Sequence, residues 1–228
     1  MPGIRVAIDG PVGAGKTSAG RLLARRLGFR FLDTGLMYRA VTVAALDEGV
    51  PLEDDALVAL ARRCEIRPET RGGKDRIMLN GHDVTARLRG ENVDRSVSVV
   101  SAVPGVRKVL VDAQRRIARS GAIVMVGRDI GTVVLPRAEV KLYLTASPAT
   151  RARRRHEEIK RAGGAEMYED VLDSLSRRDE LDSSRAASPL KPAPGARIVD
   201  TDGLSLEQVV ARLAEFVEAR AARSRTGQ

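Results

Sequence analysis

One short segment of this 228-residue chain narrows its possible folds more than any other. Gly10-Pro11-Val12-Gly13-Ala14-Gly15-Lys16-Thr17 satisfies the pattern of Gly, four residues, then Gly-Lys-Ser/Thr. An apolar run at residues 4–8 precedes it. A helical pattern follows, with Leu22, Leu23 and Leu27 on one face and Gly28 as its stop. Strand, glycine loop and helix in this order form the P-loop setting. Residues without Cβ let successive backbone N–H groups wrap phosphate oxygens, and the helix N-terminus adds its dipole. Lys16 is expected to bridge the β- and γ-phosphates of a nucleotide, and Thr17 to offer its hydroxyl to Mg²⁺. Residues 10–17 together with Ser18 are the candidate ATP site. The plain alternative is a glycine-rich structural turn, and the correct flanks on both sides argue against it.

Apolar runs of strand length alternate with helical patterns to about Val217, which predicts an α/β fold with a mainly parallel sheet. Five strands are expected, at residues 4–8, 29–32, 122–126, 140–144 and 197–199. Between about Arg62 and Ser101 the helical period fades. There Arg76-Ile77-Met78-Leu79 followed by Asn80-Gly81 reads as a strand and a tight hairpin turn. The expected division is a core of residues 1–61 and 102–220, an inserted antiparallel subdomain at 62–101, and a frayed tail at 221–228. Helices are expected at 106–118, 151–161 and 167–181, the last two joined near Gly163-Gly164.

Composition removes several classes of function. A single cysteine, Cys64, excludes an intrachain disulfide, and with only His82 and His156 beside it there is no four-ligand nitrogen and sulfur zinc site. The balance of 39 Lys+Arg against 30 Asp+Glu gives +9, which suits an anionic partner, either nucleic acid or a phosphorylated metabolite. No tryptophan and 3% aromatics leave few stacking platforms, which disfavours single-strand nucleic-acid binding. The longest apolar stretches, such as 40–46, fall far short of the roughly 18 residues that a membrane span needs. The N-terminus runs into a strand without an apolar signal core, so a cytoplasmic protein is expected. A regulatory GTPase would need Asn-Lys-x-Asp, which is absent, and the only Asp-x-x-Gly, Asp200 to Gly203, lies far downstream. A nucleic-acid ATPase usually needs a longer chain. Small-metabolite kinases remain.

Three further segments follow the P-loop in order: Leu32-Asp33-Thr34-Gly35-Leu36-Met37-Tyr38-Arg39, Gly127-Arg128-Asp129-Ile130-Gly131-Thr132, and residues 177–185, which read Arg-Arg-Asp-Glu-Leu-Asp-Ser-Ser-Arg. Together they resemble the bacterial-type cytidylate kinase family from about Ile4 to Val217. The resemblance implies an adenylate-kinase-like P-loop fold: three layers, a five-stranded parallel sheet, an inserted nucleoside-monophosphate-binding subdomain and a helical lid at about 150–166. It implies transfer from ATP, with Mg²⁺, to CMP or dCMP. It also implies roles. Arg39 and Arg128 look like clamps on the acceptor phosphate, and Thr34 and Tyr38 line its pocket. Arg178 and Asp182 reach the sugar, while Ser98, Arg107, Asp129 and Arg185 read the base. A lid arginine, Arg154 or Arg155, closes on ATP; Arg154 is carried forward as the ATP ligand. Lys16, Arg39, Arg128 and Arg178 form the catalytic set. Val126 stands where the family pattern has Asp or Glu, which leaves Asp9 or Asp33 to support a metal through water. A monomer with small-molecule partners, no nucleic acid and no membrane is expected.

The residue types suit that chemistry independently of the resemblance. A phosphate monoester has a second pKa of about 6, so the nucleophile is largely ionised at neutral pH and no general base is needed. Anion meets anion in the barrier, and forked guanidinium donors answer it better than histidines do. Cytosine offers an N4 amino donor beside N3 and O2 acceptors, so Asp129 accepts where Arg107 and Arg185 donate. Uracil reverses two of these groups. Two plainer readings stand beside these. The acidic residues among Arg177, Arg178, Asp179, Glu180 and Asp182 read singly as salt-bridge partners, although Arg178, Asp182 and Arg185 share a helical face. Arg153 with Glu157 and Arg154 with Glu158 have the spacing of a solvated helix. A kinase acting on UMP or on a non-nucleotide acid, and a basic nucleic-acid binder, are the competing functions.

Overall fold

The computed structural model describes residues 3–71, 74–161, 163–185 and 188–226. In chain order its elements are β1 (Arg5–Asp9), α1 (Lys16–Leu27), β2 (Arg30–Asp33), α2 (Thr34–Asp47), α3 (Asp54–Arg63), β3 (Ile66–Arg71), β4 (Lys74–Leu79), β5 (His82–Asp83), a 3₁₀ turn (Thr85–Arg87), α4 (Glu91–Ala102), α5 (Pro104–Ala118), β6 (Ile123–Val126), a π-turn (Ile130–Val134), β7 (Val140–Thr145), α6 (Pro148–Arg161), α7 (Tyr168–Ser184), β8 (Arg197–Asp200) and α8 (Leu206–Thr226). They divide into two compact units, residues 1–31 with 118–228, and residues 32–117.

The first unit is built on a five-stranded sheet in the order β2-β6-β1-β7-β8, and all five strands expected from the apolar runs are present. β1 pairs in parallel with both β6 and β7, and β7 with β8, so Val6 stands beside Val124 on one side and Val140 on the other. A central strand of this kind is covered on both faces, which is why Val6, Ala7 and Ile8 are fully buried and why such strands read as unbroken apolar runs. Leu23 and Ala24 of α1 and Val210, Leu213 and Val217 of α8 share one core with these strands. Val126, at the end of β6, belongs to that core as well and is 1% exposed. α8 continues to Thr226, so helix extends through most of the segment expected to fray; residues 227 and 228 lie outside the described residues.

The second unit takes in residues 32–117, a longer segment than the 62–101 insert suggested by the fading helical period. α2 is buried on nearly every side and packs with α3, α4 and β4. β3, β4 and β5 form an antiparallel sheet, and Asn80 and Gly81 make the expected two-residue turn with φ of 49° and 84°. Positive φ at both turn positions matches the twist of a tight hairpin, which is what Asn-Gly supplies. Inside the stretch read as lacking helical period stand two elements without an expected counterpart: β3, and α4, an amphipathic helix that buries Val93, Val97, Val100 and Ser101.

Candidate active site

The loop between β1 and α1 has the shape that its glycines permit. Gly10 has φ of 143°, and a Cβ there would come within 2.0 Å of the Leu144 carbonyl oxygen, so no other residue lets β1 turn away this close to β7. Lys16 opens α1 and is buried, with its ammonium donating to the Pro11 carbonyl at 2.6 Å. The cation therefore lies folded across its own loop. Ala14 is buried beneath the loop, Val12, Gly13, Gly15 and Thr17 are half-buried, and Ser18 is exposed.

At the end of β1, Asp9 turns its carboxylate onto the segment after β6. Oδ1 accepts from the Ile130 N–H and Oδ2 from the Gly131 N–H, both at 2.7 Å. This pair of hydrogen bonds to the backbone clips the turn that follows Arg128 and Asp129, and Asp129 is itself 4% exposed. Burial pushes the Asp9 carboxyl up to about 6 against those two N–H groups; nearby Asp129 raises it further and Lys16 opposes. Asp33, the other carboxylate considered for metal support, accepts from the Gly35 N–H and caps α2. Both carboxylates therefore serve the backbone.

Arg128, Asp182 and Arg185 come together from two distant motifs. Arg128 Nε donates to Asp182 Oδ2 at 2.7 Å, and Arg185 pairs with Asp182 Oδ1. Burial would raise the Asp182 carboxyl, but Arg128 and Arg185, with Arg178 adding to the field, hold it below the usual carboxylate range. Asp182 thus braces Arg128 and Arg185 at once.

Helix α6 is held to the P-loop by arginines. Arg151 is buried; its Nη1 donates to the Val12 carbonyl at 3.1 Å, its Nε to the Ala146 carbonyl at 3.1 Å, and it pairs with Asp179 of α7 at 2.6 Å. Arg154 donates to the Thr201 hydroxyl at 3.0 Å, the Thr201 carbonyl at 2.7 Å and the Gly13 carbonyl at 3.5 Å. The i,i+4 pairing expected of Arg154 with Glu158 is not what forms. Glu158 pairs with Arg155 and Glu157 with Arg161, so of the two lid candidates Arg154 faces the loop and Arg155 the helix surface. Val12 also packs among the small apolar cluster of Ala152, Val171 and Leu175 that joins α6 to α7.

The remaining site residues lie in the second unit and form their own arrangement. The Arg107 guanidinium lies 5.4 Å from the Tyr38 ring centroid and donates to the Ser101 carbonyl at 3.1 Å. Thr34 is buried at the start of α2, and Ser98 is half-buried on α4, where its carbonyl accepts from the Ser101 hydroxyl at 3.2 Å. Arg39 pairs with Asp94 at 2.5 Å through Nη2 and donates to the Leu88 carbonyl at 2.7 Å through Nη1. Sequence reasoning passed over Arg151 and Asp94. The signal for Arg151 was its place three residues before Arg154, on the same helical face; for Asp94 it was the four-residue spacing from Ser98. Among the described residues no cluster of three or more His, Cys, Asp or Glu could hold a metal, and no helix is long and apolar enough to cross a membrane.

Comparison with known proteins is consistent with this geometry. The family model described as cytidylate kinase matches residues 6–219. The chain is 49% identical over 217 residues to a cytidylate kinase of Carboxydothermus hydrogenoformans, covering 94% of this chain and 97% of the relative. It is 49% identical over 221 residues to a cytidylate kinase of Mycobacterium leprae, covering 96% and 98%. Among solved structures, a shikimate kinase from Bacteroides thetaiotaomicron superposes with a TM-score of 0.51 at 16% identity, covering 96% of this chain and 99% of that one, a likeness of fold alone.

Proposed function

The chain belongs to the cytidylate kinase family, and from that premise we propose that it transfers the γ-phosphoryl group of MgATP to CMP or dCMP, giving ADP and CDP or dCDP. Residues 10–18 cradle the ATP phosphates and Arg154 adds a guanidinium from the lid. Arg39 and Arg128 clamp the acceptor phosphate, with Thr34 and Tyr38 beside it. Arg178 acts on the same charge and reaches toward the sugar with Asp182. Ser98, Arg107, Asp129 and Arg185 read cytosine. The observation that carries the proposal is the buried Arg128–Asp182–Arg185 network, which brings residues of two separate motifs together.

An acceptor phosphate oxygen attacks the γ-phosphorus in line, and the bond from that phosphorus to the β,γ-bridging oxygen breaks, leaving ADP. No proton need be removed at neutral pH, and the carboxylates of Asp182 and Asp9 are already committed, the first to arginines and the second to backbone N–H groups. The work of the chain is to bring cations and N–H donors to the transferring group. Lys16 is poised to exchange the Pro11 carbonyl for phosphate oxygens. Thr17 would offer a Mg²⁺ ion a single hard oxygen, and the ion would supply positive charge to neutralise the phosphates of ATP.

ADP release measured with CMP, dCMP, UMP and AMP as acceptors tests the proposal. Fastest turnover on CMP or dCMP is expected. Fastest turnover on UMP would overturn the assignment of the base readers.

A further inference from the structure

On the proposed reading that Arg39 clamps the acceptor phosphate, we propose that Asp94 is a positioning residue that presents the Arg39 guanidinium to that phosphate. Arg39 reaches from α2 to α4, where Nη2 meets Asp94 at 2.5 Å and Nη1 meets the Leu88 carbonyl at 2.7 Å. Two acceptors on two terminal nitrogens fix the plane of the group, and a guanidinium carries five N–H donors, so further donors remain for a ligand. The Arg39 side chain is 15% exposed and that of Asp94 27%, so water screens the pair only in part.

The placement on α4 strengthens the inference. Asp94, Ser98 and Ser101 are four and three residues apart and share one face of the helix. Asp94 holds Arg39, and the Ser101 carbonyl holds Arg107, whose guanidinium lies over Tyr38. Two turns of helix, roughly 10.5 Å, separate the two anchors, with Ser98 between them. One helix thus sets the spacing between a phosphate clamp and a base reader, a span comparable to a nucleoside monophosphate from phosphate to base edge. Asp94 would act through Arg39 on the phosphate end alone.

The prediction is specific to that end. In equilibrium binding to the full chain, Asp94→Asn is expected to weaken CMP about tenfold, in line with a lost charge-assisted contact. Cytidine, which lacks the phosphate, is expected to bind Asp94→Asn and the parent chain equally. Asp94→Glu, which keeps the charge, is expected to retain most CMP affinity, and Asp94→Asn added to Arg39→Ala is expected to cost nothing more. Unchanged CMP binding in Asp94→Asn, or equal weakening of CMP and cytidine, would overturn the role, the latter marking a purely structural residue. If Arg39→Ala itself leaves CMP binding intact, the clamp reading fails and this inference falls with it. If Arg39→Ala weakens CMP while Asp94→Asn does not, only the role of Asp94 fails.

Discussion

Single side chains carry the sharpest expectations. Lys16 is buried against its own loop carbonyl, and on the proposed function its truncation removes the cation that would meet the ATP phosphates. Lys16→Ala is expected to lower kcat by roughly 10²- to 10³-fold while the urea midpoint stays near that of the parent. Asp129→Asn is expected to raise the KM for CMP by roughly tenfold or more and leave the KM for ATP within about threefold; equal loss on both would make Asp129 a structural or metal-linked residue. Asp9 carries a pH expectation. Its folded-state carboxyl is raised by burial to about 6 from its ordinary 3.8, so the protonated form favours the fold. That contribution is fully present below about 3.8 and disappears as pH rises through about 6. Urea unfolding of the parent chain, compared with Asp9→Asn between pH 4 and 7, should show the parent losing roughly 1–3 kcal/mol relative to the variant as pH rises. A pH-independent difference would contradict the shift.

Elements depend on contacts made far from their own sequence. α6 carries many arginines, but Arg151 is the one buried with three partners, the carbonyls of Val12 and Ala146 and the carboxylate of Asp179. Removing it takes the paired cation from Asp179, a half-buried carboxylate. Arg151→Ala is expected to cost about 3–5 kcal/mol in urea unfolding, and adding Asp179→Ala to recover part of that loss, since the orphaned charge goes too. Hydrogen exchange of α6 amides should speed up in the single variant. The same distinction between local and distant causes explains which elements were legible. The five sheet strands read as apolar runs because both of their faces are covered. β3 did not, because it is an edge strand that carries Pro68 and charged residues where half the side chains meet solvent. α4 buries Val93, Val97, Val100 and Ser101, and its serines and β-branched valines are weak helix formers, so packing against α2 rather than propensity holds it.

For the molecule as a whole, the net charge of +9 invites a nucleic-acid partner, yet many of its arginines are already paired within the fold. No retention of duplex or single-stranded nucleic acid at moderate salt is expected; binding with a steep salt dependence would favour the basic-binder alternative. The sequence by itself determined the P-loop, the parallel sheet and the roster of candidate arginines, because each of those signals is written in neighbouring residues: a glycine spacing, an apolar run, a motif. Only the tertiary structure decided what each arginine serves. Arg154 turned inward and Arg155 outward, Asp182 was spent on two guanidinium groups, and Asp94 was given to Arg39. A guanidinium on a long flexible stem has no preferred partner until distant segments bring a carbonyl or carboxylate within reach, and helical period does not say which side of a helix will meet them.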